Sequence, residues 1–349
     1  MKPRVDVSVV LGMCGPERSR SATMLARRER RVLIGASGYR TSAEHAEHVR
    51  TSLLGFAATP NLSVVVEFPS DARPTDVIGL LLAEDNFPGL DIRLTSILTV
   101  VDASHIRNDF EDEEYVVADR VDSSSESDVV QVARASFVID QIEHASVLAL
   151  VNWSAMRRGD LTALMALLSH LNPTARITLD RKTVSRVPDG GQAPISKESE
   201  TPGWVRLLND SFEPRLADPR VSAFHYEQLR PLHPARLIRM LDTEVEQGVH
   251  GTVIRSAGFC SFATRPGVIA RWDHIGSMIS FEPLERVTGD ELLAIGQDLA
   301  FIGMDLDRPG LTAALDACAL TDAEFTLGSR HWATFYDPLP RWNLIVRPR

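Results

Sequence analysis

The segment that decides the fold begins at residue 9 and reads VVLGMCGPERSRSATML. An apolar run enters a loop at Gly12 and leaves it into a stretch rich in Ser and Arg that can open a helix. This strand, loop and helix layout is that of a P-loop, whose pattern is G-x-x-x-x-G-K-[ST]. Gly12 matches the first glycine and Ser19 the metal-binding hydroxyl, but Glu17 and Arg18 stand at the second glycine and the lysine.

These replacements change what the loop can bind. A phosphate loop needs glycine at the position of Glu17, because the backbone must approach the phosphates and turn its N–H groups towards them. Arg18 keeps a cation, but its planar fork is a poor replacement for a compact ammonium group. The segment therefore has two interpretations: a weakened nucleotide site formed by Gly12, Gly15, Arg18 and Ser19, or an ordinary turn between a strand and a helix.

Composition narrows the class of protein. The chain has 349 residues, enough for two domains, and 44% hydrophobic residues supply both cores. A net charge of -10 argues against binding nucleic acid or anionic membranes through overall charge. The cysteines, Cys14, Cys260 and Cys318, are too far apart to indicate a disulfide framework or a Cys-based zinc site. With no signal peptide pattern and no apolar run of ~20 residues, we expect a cytoplasmic protein without a membrane span.

The first half of the chain alternates short apolar strands with segments of helical spacing. Strands rich in Val, Ile and Leu, without polar alternation, are typical of a parallel sheet covered on both faces. Residues 1–180 are therefore predicted to form a doubly wound, mostly parallel α/β domain. The predicted strands are 5–11, 31–34, 62–68, 97–101, 147–151 and 176–179, and the predicted helices are 43–58, 75–82, 129–144 and 161–171.

The pattern changes after the first domain. Periodicity fails in a stretch rich in Pro, Gly and Ser, and we interpret residues 181–217 as a linker or surface loop. Residues 218–349 are predicted to form a smaller α+β domain. The acidic residues 110–115 and the serine cluster 123–127 are interpreted as solvated loops. The predicted strands of the second domain are 221–226, 252–262, 278–281 and 299–304, and its helices are 234–247, 311–318 and 322–327.

Several segments resemble one family in the same order along the chain. Three of them, in the second domain, resemble the C-terminal domain of the CobW family of P-loop GTPases, and three more resemble its strand regions in the first domain. The resemblance implies a P-loop-type sheet followed by a CobW-like C-terminal domain, and a GTP-dependent metallochaperone for zinc or cobalt that uses GTP and Mg²⁺. The segments are HPARLIRML (233–241), VIRSAGFCSFATRP (253–266), DLAFIGMDLDRPGLTAALDACALTDAE (298–324), TVVDASH (99–105), IDQIEHASVLALVN (139–152) and LSHLNPTARI (168–177).

The parts that bind the nucleotide depart from the family pattern. The family reads guanine with Asn-Lys-x-Asp after the fifth strand, and here Asn152 remains while Trp153 and Ala155 replace the lysine and the aspartate. Glu67 stands in place of the glutamate of the family's Glu-x-x-Gly, but Ser70 replaces its glycine. We therefore expect guanine selectivity to be lost.

The family's metal motif is absent. Family members carry Cys-x-Cys-Cys between the phosphate-loop helix and the third strand, where this chain reads GASGYRTSAEHAEHVRTSL without cysteine. His45 and His48 are three residues apart on a predicted helix and can share a metal with Glu44 or a further ligand, or they are exposed histidines on a solvated face. We therefore expect the chain to hold no tight zinc site.

Three functional interpretations follow. Because the phosphate loop, base-reading loop and metal motif have all changed, we favour a pseudo-GTPase adaptor in zinc homeostasis or the response to zinc limitation, acting through a protein partner. The closing residues 331–342 resemble the tail of CobW-like proteins associated with ribosome hibernation, so the partner can be a ribosomal assembly, with nucleic acid contacted only through it. One alternative is an active GTP-dependent metallochaperone in which Arg18 and Ser19 engage phosphate and Mg²⁺. Another is a metallochaperone that uses histidines.

Overall fold

The computed structural model describes residues 2–39, 41–57, 59, 61–111, 114–118, 130–180, 202–286 and 296–342. The chain divides into two compact units, one of residues 1–202 with 214–216 and one of residues 203–213 with 217–349. Each unit has its own principal sheet and its own hydrophobic core. No helix among the described residues is long and apolar enough to cross a membrane.

The first unit is built on a parallel sheet with helices packed against it. Its strands are β1 (Arg4–Gly12), β2 (Val32–Ile34), β3 (Leu62–Glu67), β4 (Asp91–Asp102), β5 (Tyr115–Ala118), β6 (Val130–Ala133), β7 (Val147–Val151) and β8 (Arg176–Leu179). Its helices are α1 (Gly15–Glu29), α2 (Ser42–Gly55), α3 (Pro74–Leu82), α4 (Ile106–Glu111), α5 (Arg134–Glu143) and α6 (Arg158–Leu171). The six-stranded sheet has the order β2-β3-β1-β4-β7-β8 and every pairing in it is parallel. The predicted doubly wound α/β fold is confirmed.

Strand β1 shows why the sequence lacks polar alternation. Val7 and Val9 belong to the core cluster that contains Val49 of α2, whereas Val10 belongs to the cluster that contains Leu25 of α1. Successive side chains of a strand point to opposite faces, so both faces of this strand are buried. A strand buried in this way needs apolar residues at every position.

Two predictions in the first unit are wrong at the insertion between β4 and α5. The predicted helix 129–144 begins only at Arg134, because Val130–Ala133 forms β6, which pairs antiparallel with β5. The acidic stretch 110–115 is not one solvated loop, since it includes the end of α4 and Tyr115, the first residue of β5. The β-branched Val residues of this hairpin favour strand over helix. The serine cluster 123–127 lies outside the described residues.

The second unit is an antiparallel sheet with short helices. Its elements are α7 (Gly203–Leu208), β9 (Val221–Gln228), α8 (Pro234–Met240), β10 (Thr252–Ser261), β11 (Val268–Ile275), β12 (Met278–Arg286), β13 (Gln297–Met304), α9 (Arg308–Cys318), α10 (Asp322–Thr326) and α11 (Ser329–Trp332). The sheet has the order β12-β11-β10-β13-β9, and all of its pairings are antiparallel. The predicted α+β class of this half is confirmed.

In the second unit, the structure differs from three of the sequence predictions. Helix α7 lies inside the predicted linker 181–217, of which residues 181–201 lie outside the described residues. The predicted helix 234–247 is α-helical only to Met240, after which Leu241–Val245 forms a π-helical turn. Strand β11 was not predicted, although its buried and half-buried residues alternate over most of its length. Arg271, Asp273 and His274 interrupt the apolar residues of this strand, so the alternation was not recognised in the sequence.

Candidate functional site

Polar residues gather where four parallel strands end. β1 lies between β3 and β4, so the connection from β1 to β2 runs to one side of β1 and the later connection from β3 to β4 crosses to the other side. In open α/β sheets, ligands bind outside the carboxyl ends of the strands at such a switch point. Gly12 ends β1, Glu67 ends β3, Asp102 ends β4 and Asn152 follows β7, while α1 begins beside them. This carboxyl edge is the candidate site.

The connection from β1 to α1 is shorter than the P-loop pattern requires. Helix α1 begins at Gly15 with Pro16 in its first turn, and the Arg18 amide donates to the Cys14 carbonyl at 2.9 Å. Glu17 therefore lies in the first helical turn, where the P-loop pattern calls for a glycine in a loop. Proline and an acidic residue in the first turn both favour a helix start at this point.

Gly12 is required by packing. Its φ is +148°, and a Cβ built on it would lie 2.6 Å from the Val100 carbonyl oxygen of β4. The same test at Gly15 finds only the Arg18 Nη2 atom, at 3.9 Å. The close approach of β1 and β4 thus explains why a glycine is needed at position 12, with no need to invoke a ligand. At Gly15, by contrast, the space that a Cβ would occupy is open except for the Arg18 side chain.

Glu67 binds two of the predicted site residues. Arg18 is 8% exposed, and its Nε donates to Glu67 Oε1 at 3.1 Å while its Nη1 donates to the Gly12 carbonyl at 2.6 Å. The Ser19 hydroxyl donates to the same Glu67 oxygen at 2.5 Å. The structure therefore brings Gly12, Gly15, Arg18, Ser19 and Glu67 together, with the Arg18 charge neutralised by Glu67.

The interpretation of His45 as an exposed histidine is wrong. His45 is 0% exposed, its Nε2 lies 2.6 Å from the Glu67 carbonyl oxygen, and burial lowers its pKa. It shares the inward face of α2 with Val49, four residues further on. His48 is exposed and stacks on Tyr39 with ring centroids 5.1 Å apart. Among the described residues, these histidines do not form a three-ligand group with Glu44.

Asn152 belongs to a network centred on Asp102, a residue that the sequence analysis did not single out. Asn152 has a φ of 57°, and its Nδ2 donates to Asp102 Oδ2 at 2.7 Å. The Ser104 hydroxyl and amide donate to Oδ1 at 2.6 and 2.9 Å. Burial raises the pKa of Asp102, but the hydrogen bonds from Ser104 and Asn152 outweigh it, so the pKa lies below its usual value. Asp102 is therefore an ionised carboxylate.

Cys14 completes the network. Its thiol donates to Asp102 Oδ2 at 3.9 Å. Burial, and then the carboxylates of Asp102, Asp109 and Glu17, raise the pKa of Cys14 to about 11. The ligand atoms of Cys14, Glu17 and Asp102 all lie within 4.8 Å of one another. Sequence spacing could not reveal this group, because 88 positions separate Cys14 from Asp102. The available signal was an aspartate at the end of an apolar strand.

The fold and this edge define a doubly wound α/β protein of the P-loop type with a second antiparallel unit. Residues 221–319 match the cobalamin synthesis protein cobW C-terminal domain family. The chain is also 27% identical over 274 residues to zinc-regulated GTPase metalloprotein activator 1 of Dictyostelium discoideum, covering 71% of this chain and 56% of that protein. The chain thus spans little more than half the length of this relative. Residues 221–319 of the second unit thus belong to that C-terminal domain family.

Two solved structures are similar over most of the chain. The Zn(II)-bound YjiA GTPase from E. coli is 14% identical, with a TM-score of 0.36, and the match covers 92% of this chain and 100% of that one. A Zn(II)-bound triple mutant of the same GTPase is 13% identical, with the same TM-score and coverage.

Proposed function

We propose that the chain acts in zinc homeostasis as a GTP-dependent metallochaperone of the CobW type. The supporting observation is the similarity to a zinc-regulated GTPase metalloprotein activator over 71% of the chain. Neither unit alone contains that share of the residues, so the similarity extends into both. It favours the active alternative over the adaptor interpretation that the altered motifs suggested.

Arg18, Ser19 and Glu67 are the residues that would hold magnesium and the nucleotide phosphates. The Ser19 hydroxyl and the Glu67 carboxylate are hard oxygen ligands of the kind that Mg²⁺ prefers. Arg18 supplies a cation beside them, and the N-terminus of α1 favours negative charge. Magnesium would replace Arg18 as the counter-charge of Glu67, and Arg18 would turn to phosphate. When bound, GTP supplies the free energy of hydrolysis.

A second candidate is an adaptor that does not hydrolyse GTP and acts through a protein or ribosomal partner. Two observations favour it. The carboxylate of Glu17 lies in the first turn of α1, where it opposes phosphate, and Arg18 is already bound to Glu67. Trp153, which replaces the lysine of the base-reading motif, donates its ring N–H to the Asp180 carbonyl at 3.0 Å and so has a packing role.

Nucleotide binding and turnover by the full chain separate the two candidates. We expect magnesium-dependent GTP turnover by the wild type that is lost in Ser19→Ala and in Arg18→Ala. Arg20→Ala is the matched control, because Arg20 is an exposed arginine of the same helix and should leave turnover unchanged. If the wild type binds neither GTP nor ATP with Mg²⁺, the adaptor candidate replaces the metallochaperone.

A further inference from the structure

Three ligand-type side chains from two neighbouring elements meet at the carboxyl edge. Cys14 precedes α1, Glu17 lies in the first turn of α1, and Asp102 ends β4, with their ligand atoms within 4.8 Å of one another. We infer that these residues form a binding site for a divalent transition metal of the zinc class. The inference rests on the proposed function for its biological meaning, since it places the metal cargo at the edge expected to bind nucleotide, away from the segment of the family's cysteine motif.

The separation of Cys14 and Asp102 is close to that of two ligands on a tetrahedral zinc ion. Zinc bonds of about 2.3 Å to sulfur and about 2.0 Å to oxygen place the two ligand atoms roughly 3.5 Å apart at a tetrahedral angle. Cys14 Sγ lies 3.9 Å from Asp102 Oδ2, so a shift of about 0.4 Å brings both atoms into range. The metal then replaces the thiol proton, which leaves to solvent, between the same two atoms. Glu17 supplies a third ligand.

The hydrogen bonds of Asp102 leave one lone pair of its Oδ2 atom for a metal. Oδ1 accepts from the Ser104 hydroxyl and amide, whereas Oδ2 accepts from Asn152 and faces Cys14. Ser104 and Asn152 thus orient the carboxylate, as outer-shell partners do in metal sites. A thiolate combined with carboxylates selects zinc or a similar metal over Mg²⁺.

Charge at the edge also favours a cation. Apart from burial, the carboxylates of Asp102, Asp109 and Glu17 raise the pKa of the Cys14 thiol, and Arg134 lowers it. The Arg18 guanidinium is engaged by Glu67 and the Gly12 carbonyl. A dication neutralises this concentration of negative charge.

Gln141 provides an independent indication of a ligand. It is 1% exposed and lines the same cavity as Cys14 and Asp102. Its Nε2 donates to the carbonyls of Ser70 and Ala72, both at 3.0 Å, but its Oε1 has no hydrogen-bond partner among the described residues. A buried acceptor without a donor is costly. Three protein ligands leave a fourth zinc position to water, and such a water can donate to this oxygen.

Cobalt(II) titration of the full chain tests the site, because a bound thiolate gives Co²⁺ a sulfur-to-metal charge-transfer band. We expect one equivalent of Co²⁺ to produce the band in the wild type and Zn²⁺ to displace it. Cys14→Ser should abolish the band, and Glu17→Gln should weaken Zn²⁺ binding by on the order of tenfold or more. Cys318→Ser is the control, since it removes a buried thiol of the second unit and should leave the band intact.

The outcomes separate this site from the proposed function. A charge-transfer band that persists in Cys14→Ser, or tight Zn²⁺ binding without any such band, would show that Cys14 is not a ligand and would overturn the proposed site. Either result would leave the proposed function in zinc homeostasis standing. A site with the expected band in a chain that never binds GTP would leave the metal site standing and remove the GTP-dependent function. Glu17→Gln keeps the inference testable if Cys14→Ser does not fold, because Glu17 is only half-buried.

Discussion

Both units bury an arginine against a carboxylate, but the surroundings of the two pairs differ. Arg255 is 2% exposed within β10, where it binds Asp273 and the carbonyls of Ser256 and His274 on the antiparallel sheet. Arg18 is 8% exposed at the carboxyl edge of the parallel sheet, and its partner Glu67 also accepts from Ser19. The first arrangement joins strands and serves the fold. The second lies at the edge that is proposed to bind the nucleotide, where a ligand would exchange partners with Arg18 and Glu67.

The largest expected effect is that of Arg255→Ala. It removes the buried partner of the Asp273 carboxylate and a donor to two carbonyls, and leaves Asp273 only the longer contact with Arg271 at 3.4 Å. Breaking a buried pair in this way costs about 3–5 kcal/mol. Urea unfolding of the full chain, followed through the transition of the second unit, measures it. Arg255→Lys keeps the charge and should lose less. A loss below about 1 kcal/mol would show that the pair contributes little to the fold.

A smaller loss is expected for Arg18→Ala, about 2 kcal/mol, because Glu67 keeps the hydrogen bond from Ser19. Unfolding of the first unit measures this loss, with Arg20→Ala as the exposed control on the same helix. An effect as large as that of Arg255→Ala would contradict the distinction between an exchangeable pair and a structural one.

Acid should weaken the second unit through His274. Burial, and then Arg255, lower the pKa of His274 from 6.5 to about 4, so the unfolded chain takes up a proton that the folded unit excludes. Its contribution to stability is complete above pH 6.5 and falls by about 1.4 kcal/mol per pH unit down to about pH 4. NMR titration of the His274 ring should give the folded pKa. Equal acid sensitivity in His274→Gln would refute this origin.

The smallest loss of stability is expected at the start of α10, which belongs to neither the Arg18 pair nor the Arg255 pair. Thr321 caps α10 by accepting from the Glu324 amide, and the Glu324 side chain accepts from the Thr321 amide. Thr321→Ala should cost about 1 kcal/mol in thermal unfolding. Thr326→Ala, at the other end of α10, is the control and should have a smaller effect. Equal losses would mean that the cap is not the cause.

Sequence alone predicts the parallel sheet because strands buried on both faces must be apolar throughout, as β1 is. It does not predict where a helix starts inside a motif. The P-loop pattern led us to expect a longer loop after Gly12, whereas proline and an acid begin α1 at Gly15. Burial of His45 also escaped prediction, since a polar residue on the inward face of a helix looks the same in sequence as an exposed one.

The group of Cys14, Glu17 and Asp102 at the carboxyl edge could not be predicted from the sequence. Cys14 and Asp102 meet only because β1 and β4 are neighbours in parallel register, with Gly12 opposite Val100. Spacing rules for metal motifs apply to ligands close in sequence, and no such rule joins residues 88 positions apart. Sheet order, which the sequence leaves open, determines this part of the site.

If zinc and GTP act together at this edge, as proposed, the affinity of the chain for zinc must depend on magnesium GTP. A bound zinc ion neutralises Glu17 and Asp102, which otherwise repel phosphate, so each ligand should strengthen binding of the other by the same factor. In competition against a chromophoric chelator, we expect magnesium GTP to lower the zinc Kd of the full chain at least about fivefold, and Glu17→Gln to reduce that factor. An unchanged zinc Kd at saturating magnesium GTP would contradict the account.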